Sequence, residues 1–314
     1  MKYLKAILAL VLCLSLAGCT VNDNRPLKVA TNLWPGYEPL YLAQYLGVFR
    51  NDIEVIQLPS ATEVMRAMTH GNLDAAAMSL DEMISLRASG LDVEPIMVLD
   101  YSRGADAIVT LNPDLDSLAG IAVGVENTAL GAIVLSEALS QSGLDFNDLT
   151  IINVSPDDHE TVLRRGAVDA VVTFEPVRSR LLGQGGKLLF DTQQAPDLVV
   201  DMLVARTDAL AARSQRFKQL VAGYFKAREY MLTNQSEAEV FFAKRLKLDQ
   251  EQLRQAFGGV YLPTLQDNRD WFSGHPSAYD MAFERIQQVM IDRQLLEGHV
   301  TPGDPPVWLL EVSG

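Results

Sequence analysis

The sequence predicts an α/β protein of two lobes around a hinge and an interlobe cleft. Three observations carry this. Short apolar runs alternate with helical patterns from residue 27 to 111, and the alternation restarts at 121 after a polar break, NPDLDSLAG. Each turn from a strand into a helix carries polar or aromatic side chains. The composition is 48% hydrophobic over 314 residues, which is enough for two full cores.

The elements follow in order. LKVA (27–30) reads as a strand that breaks at NLWPG and resumes as a helix over 39–46, stopped by Gly47. A strand over 53–57 leads through PSAT to a helix over 63–70, capped by Thr62 or Ser60. A short strand over 75–78 is followed by a helix over 80–88, then strands over 93–99 and 106–111. Such a βα series implies a largely parallel sheet with helices on both faces. The second series has strands over 121–125, 150–154, 170–174 and 188–191. Its helices run over 130–141, 158–165 and 177–182, and a strand over 201–205 returns to the first lobe. Helices over 210–233, 236–246, 248–257 and 279–294 pad the first lobe, with a loop at 258–264. Residues 27–112 plus 205–314 are therefore expected as lobe 1 and 113–204 as lobe 2. Chain crossings near 112–118 and 203–208 would make the hinge.

The first residues read as a targeting segment. Lys2 and Lys5 precede an apolar run over 6–16 that is too short to span a membrane, which takes about 20 residues. The run ends in Leu16-Ala17-Gly18-Cys19. This resembles a bacterial lipobox, which implies a signal peptide over 1–18, lipid on Cys19 and a tether over 19–26. A plain signal peptide with an incidental cysteine, or an uncleaved anchor, is the alternative. Thr20 after the cysteine, rather than Asp, is compatible with outer-membrane sorting. The chain's other cysteine, Cys13, lies inside the leader, so the mature part has no disulfide, thiol nucleophile or cysteine metal site. The net charge of −14 argues against nucleic acid and anionic membrane surfaces as partners.

In open α/β sheets ligands sit beyond the carboxyl ends of the strands. The candidate ligand contacts at those turns are Trp34, Tyr37, Ser60, Thr62, Ser79, Tyr101, Asn127, Thr128, Phe174 and Glu175. Each has a plainer account. Trp34 and Tyr37 also suit ordinary core packing. Asn127 and Thr128 suit a helix N-cap, although a helix N-terminus also attracts anions. Glu175 precedes Pro176 at a helix start, where the helix dipole favours a carboxylate by about 0.3–1 kcal/mol. It could equally face the cleft and pair with a ligand amine, with Phe174 as a stacking face. The histidines show no metal-ligand spacing, and His159 among acidic neighbours reads as a solvated helix start. No HExxH, Walker loop, GxSxG or strand-following GxGxxG is present, so neither catalysis, a metal nor a cofactor is indicated.

Four stretches carry a family resemblance: TNLWPGYEPLYLAQYLGVF, GNLDAAAMSLDE, GAVDAVVTFEP and GGVYLPTLQDNRDWF. With them the chain resembles substrate-binding proteins of ABC importers, in the nitrate/sulfonate/taurine and thiamine-precursor (NMT1/THI5-like) group. The resemblance implies a type II periplasmic-binding-protein fold whose lobes close on a small solute and deliver it to a membrane permease. It implies a monomer on the periplasmic face of the envelope. Arg103 is the one arginine at a turn, while acids and aromatics are several, so the solute leans from a sulfonate towards a heterocycle or an amine. A sensory module signalling to a membrane receptor is the alternative use of the same fold.

Overall fold

The computed structural model describes residues 25–311. The expected signal peptide (1–18), Cys19 and most of the tether lie outside the described residues.

Two mixed sheets form the frame. The strands are β1 (Leu27–Thr31), β2 (Ile53–Gln57), β3 (Ala75–Ser79), β4 (Val93–Ser102), β5 (Asp106–Thr110), β6 (Ala122–Val125), β7 (Thr150–Asn153), β8 (Ala170–Phe174), β9 (Lys187–Asp191), β10 (Val200–Arg206) and β11 (Val260–Tyr261). The first sheet has the order β11-β4-β10-β3-β1-β2 and the second β7-β6-β8-β5-β9. The helices are α1 (Glu38–Tyr45), α2 (Ala61–Thr69), α3 (Leu80–Ala88), α4 (Ala129–Gln141), α5 (His159–Arg164), α6 (Val177–Gly183), α7 (Thr207–Thr233), α8 (Gln235–Leu246), α9 (Gln250–Gly258), α10 (Leu265–Trp271) and α11 (Ala278–Asp292).

Sheet membership moves both expected crossings. β5 belongs to the second sheet and β10 to the first. The chain therefore passes between lobes at residues 103–105 and 192–199, not at 112–118 and 203–208. Polar breaks in the sequence marked the ends of these strands, whereas the crossings occur at their starts. The same fact explains why neither sheet is purely parallel. Each lobe turns the carboxyl ends of its βα strands towards the other lobe. A strand arriving across the gap must enter at those ends and run the opposite way. β10 is antiparallel to β3 and β4, and β5 to β8 and β9.

Cores form on both faces of the second sheet. Ile108 and Val172 join Val123, Leu135 and Leu139 of the α4 face, while Ala107, Val109 and Val171 join Leu163 and Leu181 of the α5–α6 face. This is the two-residue side-chain alternation of a strand covered on both sides. The first lobe has one larger core in which Phe217, Tyr224, Phe242, Leu253 and Phe283 of the late helices pack on Leu27, Leu40, Met78 and Val98. The late helices thus pad lobe 1 as expected. β11 and α10 are additions in the stretch read as loop and unassigned chain. Thr264 caps α10, accepting from the Asp267 N–H at 3.0 Å while Asp267 returns the bond to the Thr264 N–H.

The crossings are bound to each other. The Thr192 hydroxyl accepts from the Gly104 N–H at 2.8 Å and lies 2.8 Å from the Ser102 hydroxyl, which in turn accepts from the Asp106 N–H at 3.1 Å. Gly104 has φ +112°, and a Cβ there would meet the Gln193 side chain at 2.8 Å. Glycine is needed on both counts.

Candidate functional site

Between the sheets lies a cavity lined by residues of both lobes, part of it open to solvent. Its floor comes from the turn after β1. Trp34 is the N-cap of a single 3-10 turn (Pro35–Tyr37) with Pro35 at its first position, where a missing N–H costs nothing. The turn aims two aromatic donors at two buried acids. The Trp34 Nε1–H donates to both Asp100 carboxylate oxygens at 3.0 and 3.1 Å, and the Tyr37 hydroxyl donates to Asp201 Oδ1 at 3.0 Å. A Cβ on Gly36 would sit 1.8 Å from Asp100 Oδ2, so this close approach requires glycine. Asp100 and Asp201 stand directly opposite each other on β4 and β10.

The walls come from both lobes. Glu82 of α3, Asp106 at the start of β5, Glu126 before α4 and Asp201 all line the cavity, with Asn32, Thr128, Thr173 and His159 as its other polar residues. Leu130, Val134, Val172, Phe174 and Val199 supply apolar surface. The lobes touch here: the Trp34 and Phe174 rings meet edge-to-face at 6.0 Å. The Thr62 hydroxyl and N–H donate to Glu126 Oε1 at 3.0 and 3.3 Å.

Acids dominate the electrostatics. Among the described residues no Lys or Arg lines the cavity. Burial pushes the Asp100 and Asp106 carboxyls up to about 7 and Asp81 to about 6. It raises Glu82 and Asp201 well above the carboxylate range, and like charges add to this: Asp81 and Glu126 on Glu82, Asp100 and Asp106 on Asp201. Glu126 is raised less, because Thr62 donates to it. The cluster therefore holds protons near neutral pH. Glu82 Oε2 accepts the Ser79 N–H at 3.1 Å, but Oε1 has no hydrogen-bond partner, and neither has Asp106 Oδ2.

His159 is fully buried rather than solvated. Its Nε2 lies 3.3 Å from the Val154 carbonyl and its Nδ1 3.1 Å from the Thr173 hydroxyl. A carbonyl only accepts, so Nε2 carries the proton and the Thr173 hydroxyl donates to Nδ1. Burial lowers the ring to about 4, so it stays neutral.

Of the ten candidate contacts, Trp34, Tyr37, Thr128 and Phe174 line the cavity. The other six do not. Ser60 caps α2 by accepting from the Glu63 N–H at 3.2 Å. Thr62 serves the lobe–lobe bond. Ser79 is tied through its N–H to Glu82. Tyr101 packs by the hinge against Tyr261 at 6.1 Å, and the Arg103 guanidinium lies 4.4 Å over the Tyr261 ring, outside the cavity. Asn127 is exposed on a neighbouring, more open groove. Glu175 is buried within lobe 2, where its carboxylate takes the Arg178 guanidinium at 3.1 Å and the Ser179 N–H and hydroxyl at 3.1 and 2.9 Å. It is occupied by its own helix and does not face a ligand. The lining acids outside the ten candidates are Glu82, Asp106, Glu126 and Asp201. Glu82 carried a signal, since SLDE matches a capping box, but the same pattern serves any helix.

Among the described residues no three His, Cys, Asp or Glu side chains converge to hold a metal ion, and no helix is long and apolar enough to cross a membrane.

Comparisons with known proteins fit this architecture. A model of the NMT1-like family matches residues 21–246. A protein of Escherichia coli (strain K12) named as an aliphatic sulfonates-binding protein is 25% identical over 193 residues, spanning 60% of this chain and 60% of that protein. A Bacillus subtilis (strain 168) protein of the same name is 24% identical over 191 residues, 55% of this chain and 58% of its own. The chain thus spans somewhat over half the length of these curated relatives. Among solved structures, the alkanesulfonate-binding protein SsuA of Xanthomonas axonopodis pv. citri, bound to MOPS, superposes with TM-score 0.72 at 16% identity, covering 87% of this chain and 94% of that one. The nitrate-binding protein NrtA of Synechocystis gives TM-score 0.71 at 16% identity, covering 88% and 84%. At these identities the likeness establishes the periplasmic-binding-protein fold.

Proposed function

The chain belongs to the NMT1-like family, and from that premise we propose that it is a solute-binding protein of an ABC importer, anchored to the envelope by lipid on Cys19. It captures a small organic solute between its lobes as a monomer and presents it to a membrane permease. The observation that carries this reading is the cavity itself. It lies where two hinged lobes face each other, with Trp34 on one wall and Phe174 on the other. A ligand touching both walls only when they are together shifts the hinge equilibrium towards closure by its differential affinity. The role is capture without turnover: His159 on the cavity wall has both ring nitrogens engaged.

The test is a thermal-shift screen over sulfonates, amines, pyrimidines and nitrate. A ligand at 100 times its Kd stabilises the folded state by about 2.7 kcal/mol. The shift should vanish in Trp34→Ala, and a ligand whose shift survives that change binds elsewhere and refutes the cleft. Anchoring is checked separately: Cys19→Ser should move the protein from the membrane to the soluble envelope fraction.

A further inference from the structure

We propose that the group recognised in this cleft is a cation: a small apolar or aromatic body carrying an ammonium or amidinium whose N–H groups are received by Glu82 and Asp106. This deepens the solute-binding reading and rests on it.

The argument is an inventory of donors and acceptors. An anion such as a sulfonate brings only acceptors, so its pocket must offer donors. Here three of the cavity's donors are turned away from the cavity. The Trp34 indole N–H is spent on Asp100, the Tyr37 hydroxyl on Asp201, and the Thr173 hydroxyl on the His159 ring. The nearest guanidinium, Arg178, is held by Glu175 and Asp191 at 3.1 and 3.5 Å.

What remains open are acceptors. Glu82 and Asp106 are each 3% exposed, line the cavity, and each keeps one carboxylate oxygen with no partner. Buried polar atoms are nearly always satisfied. Two such oxygens on opposite lobes, Glu82 from the first and Asp106 from the second, are what a ligand bearing several N–H groups would join. A bound cation would take the place of the protons that the clustered acids otherwise hold near neutral pH. Trp34, Phe174, Leu130 and Val134 then cover the apolar body. A metal ion is disfavoured by the missing three-ligand convergence among the described residues.

The experiment titrates the full chain, purified in detergent, with benzylamine and benzamidine as cations, benzyl alcohol as neutral isostere, butanesulfonate and nitrate as anions, and zinc. Binding is read by calorimetry and melting temperature. The cations should bind, the neutral isostere more weakly by at least about tenfold, and the anions and zinc not at all. Glu82→Gln and Asp106→Asn should each weaken the cations by roughly tenfold to a hundredfold, the range for losing a hydrogen bond to a charged group. Both variants, when empty, should melt no lower than the parent, because each replaces a buried carboxyl that resists ionisation with a neutral group of the same shape. That readout separates lost recognition from lost folding. If anions bind in a Trp34-dependent way and cations do not, the cation proposal falls and the solute-binding reading stands. Unchanged cation affinity in both variants also overturns the proposal, and so does zinc binding that displaces the cations. If nothing binds at about 10 mM, above the Kd of even weak specific complexes, both readings fall.

Discussion

Replacing Asp106 by Asn should change how stability depends on pH more than it changes stability itself. Asp106 is buried at the point where the chain enters lobe 2, and Asp81 and Glu175 add like charge while Arg178 partly offsets it. The carboxyl titrates near 3.8 in the unfolded chain and at about 7 in the folded protein. The folded state therefore binds the extra proton between these values. Stability associated with the neutral group is complete below pH 3.8 and is lost as pH rises through 7, at about 1.4 kcal/mol per pH unit. Across the window this amounts to about 4 kcal/mol. His159 acts in the opposite sense. It is held neutral with its ring lowered to about 4, so it costs stability as pH falls below 6.5 and masks part of the trend. The difference between parent and variant removes this masking, because His159 is common to both. Asn stays neutral throughout, so the Asp106→Asn advantage should be near zero at pH 4 and grow to several kcal/mol at pH 8. In melting temperature that is on the order of 5–10 °C for a chain of this size. Thermal melts of the ligand-free proteins at half-unit steps from pH 4 to 8 measure it. Parallel profiles for the two proteins would refute the reasoning.

Three further outcomes are expected. Glu175→Gln should leave solute affinity within about twofold, yet lower urea stability by roughly 1–3 kcal/mol, because Arg178 loses a charged partner. An affinity loss without a stability loss would return Glu175 to the cleft. Gly104→Ala, at φ +112° and against Gln193, should cost about 1–3 kcal/mol of stability and alter the rate of lobe closure, seen by stopped-flow Trp fluorescence. Thr62→Val removes the hydroxyl's bond to Glu126 across the lobes and leaves the weaker one from the Thr62 N–H. It should enlarge the open population of the ligand-free protein about five- to tenfold, with scattering as the measure.

The sequence by itself determined most elements, because periodicity is local. The strands over 53–57 and 170–174 and the helix over 80–88 match the structure residue for residue. It also placed Trp34, Tyr37, Thr128 and Phe174, because a turn beyond a strand's carboxyl end faces the cleft whatever lies opposite. It misjudged the crossings, because β5 and β10 look like any apolar strand and only pairing shows which sheet they enter. Glu175 misled for a related reason. Its neighbours in sequence suggested a cleft position, but Arg178 and Ser179, three and four residues on, fold back within hydrogen-bond reach of it. The convergence of the acids was beyond sequence reading. Asp100 and Asp201 are a hundred residues apart and meet only because β10 returns beside β4, while Glu82 and Asp106 come from opposite lobes. Tertiary structure alone decided that these groups share one desolvated space that, among the described residues, no Lys or Arg lines. Desolvation at that close range, rather than the chain's overall charge, sets what the cleft can hold.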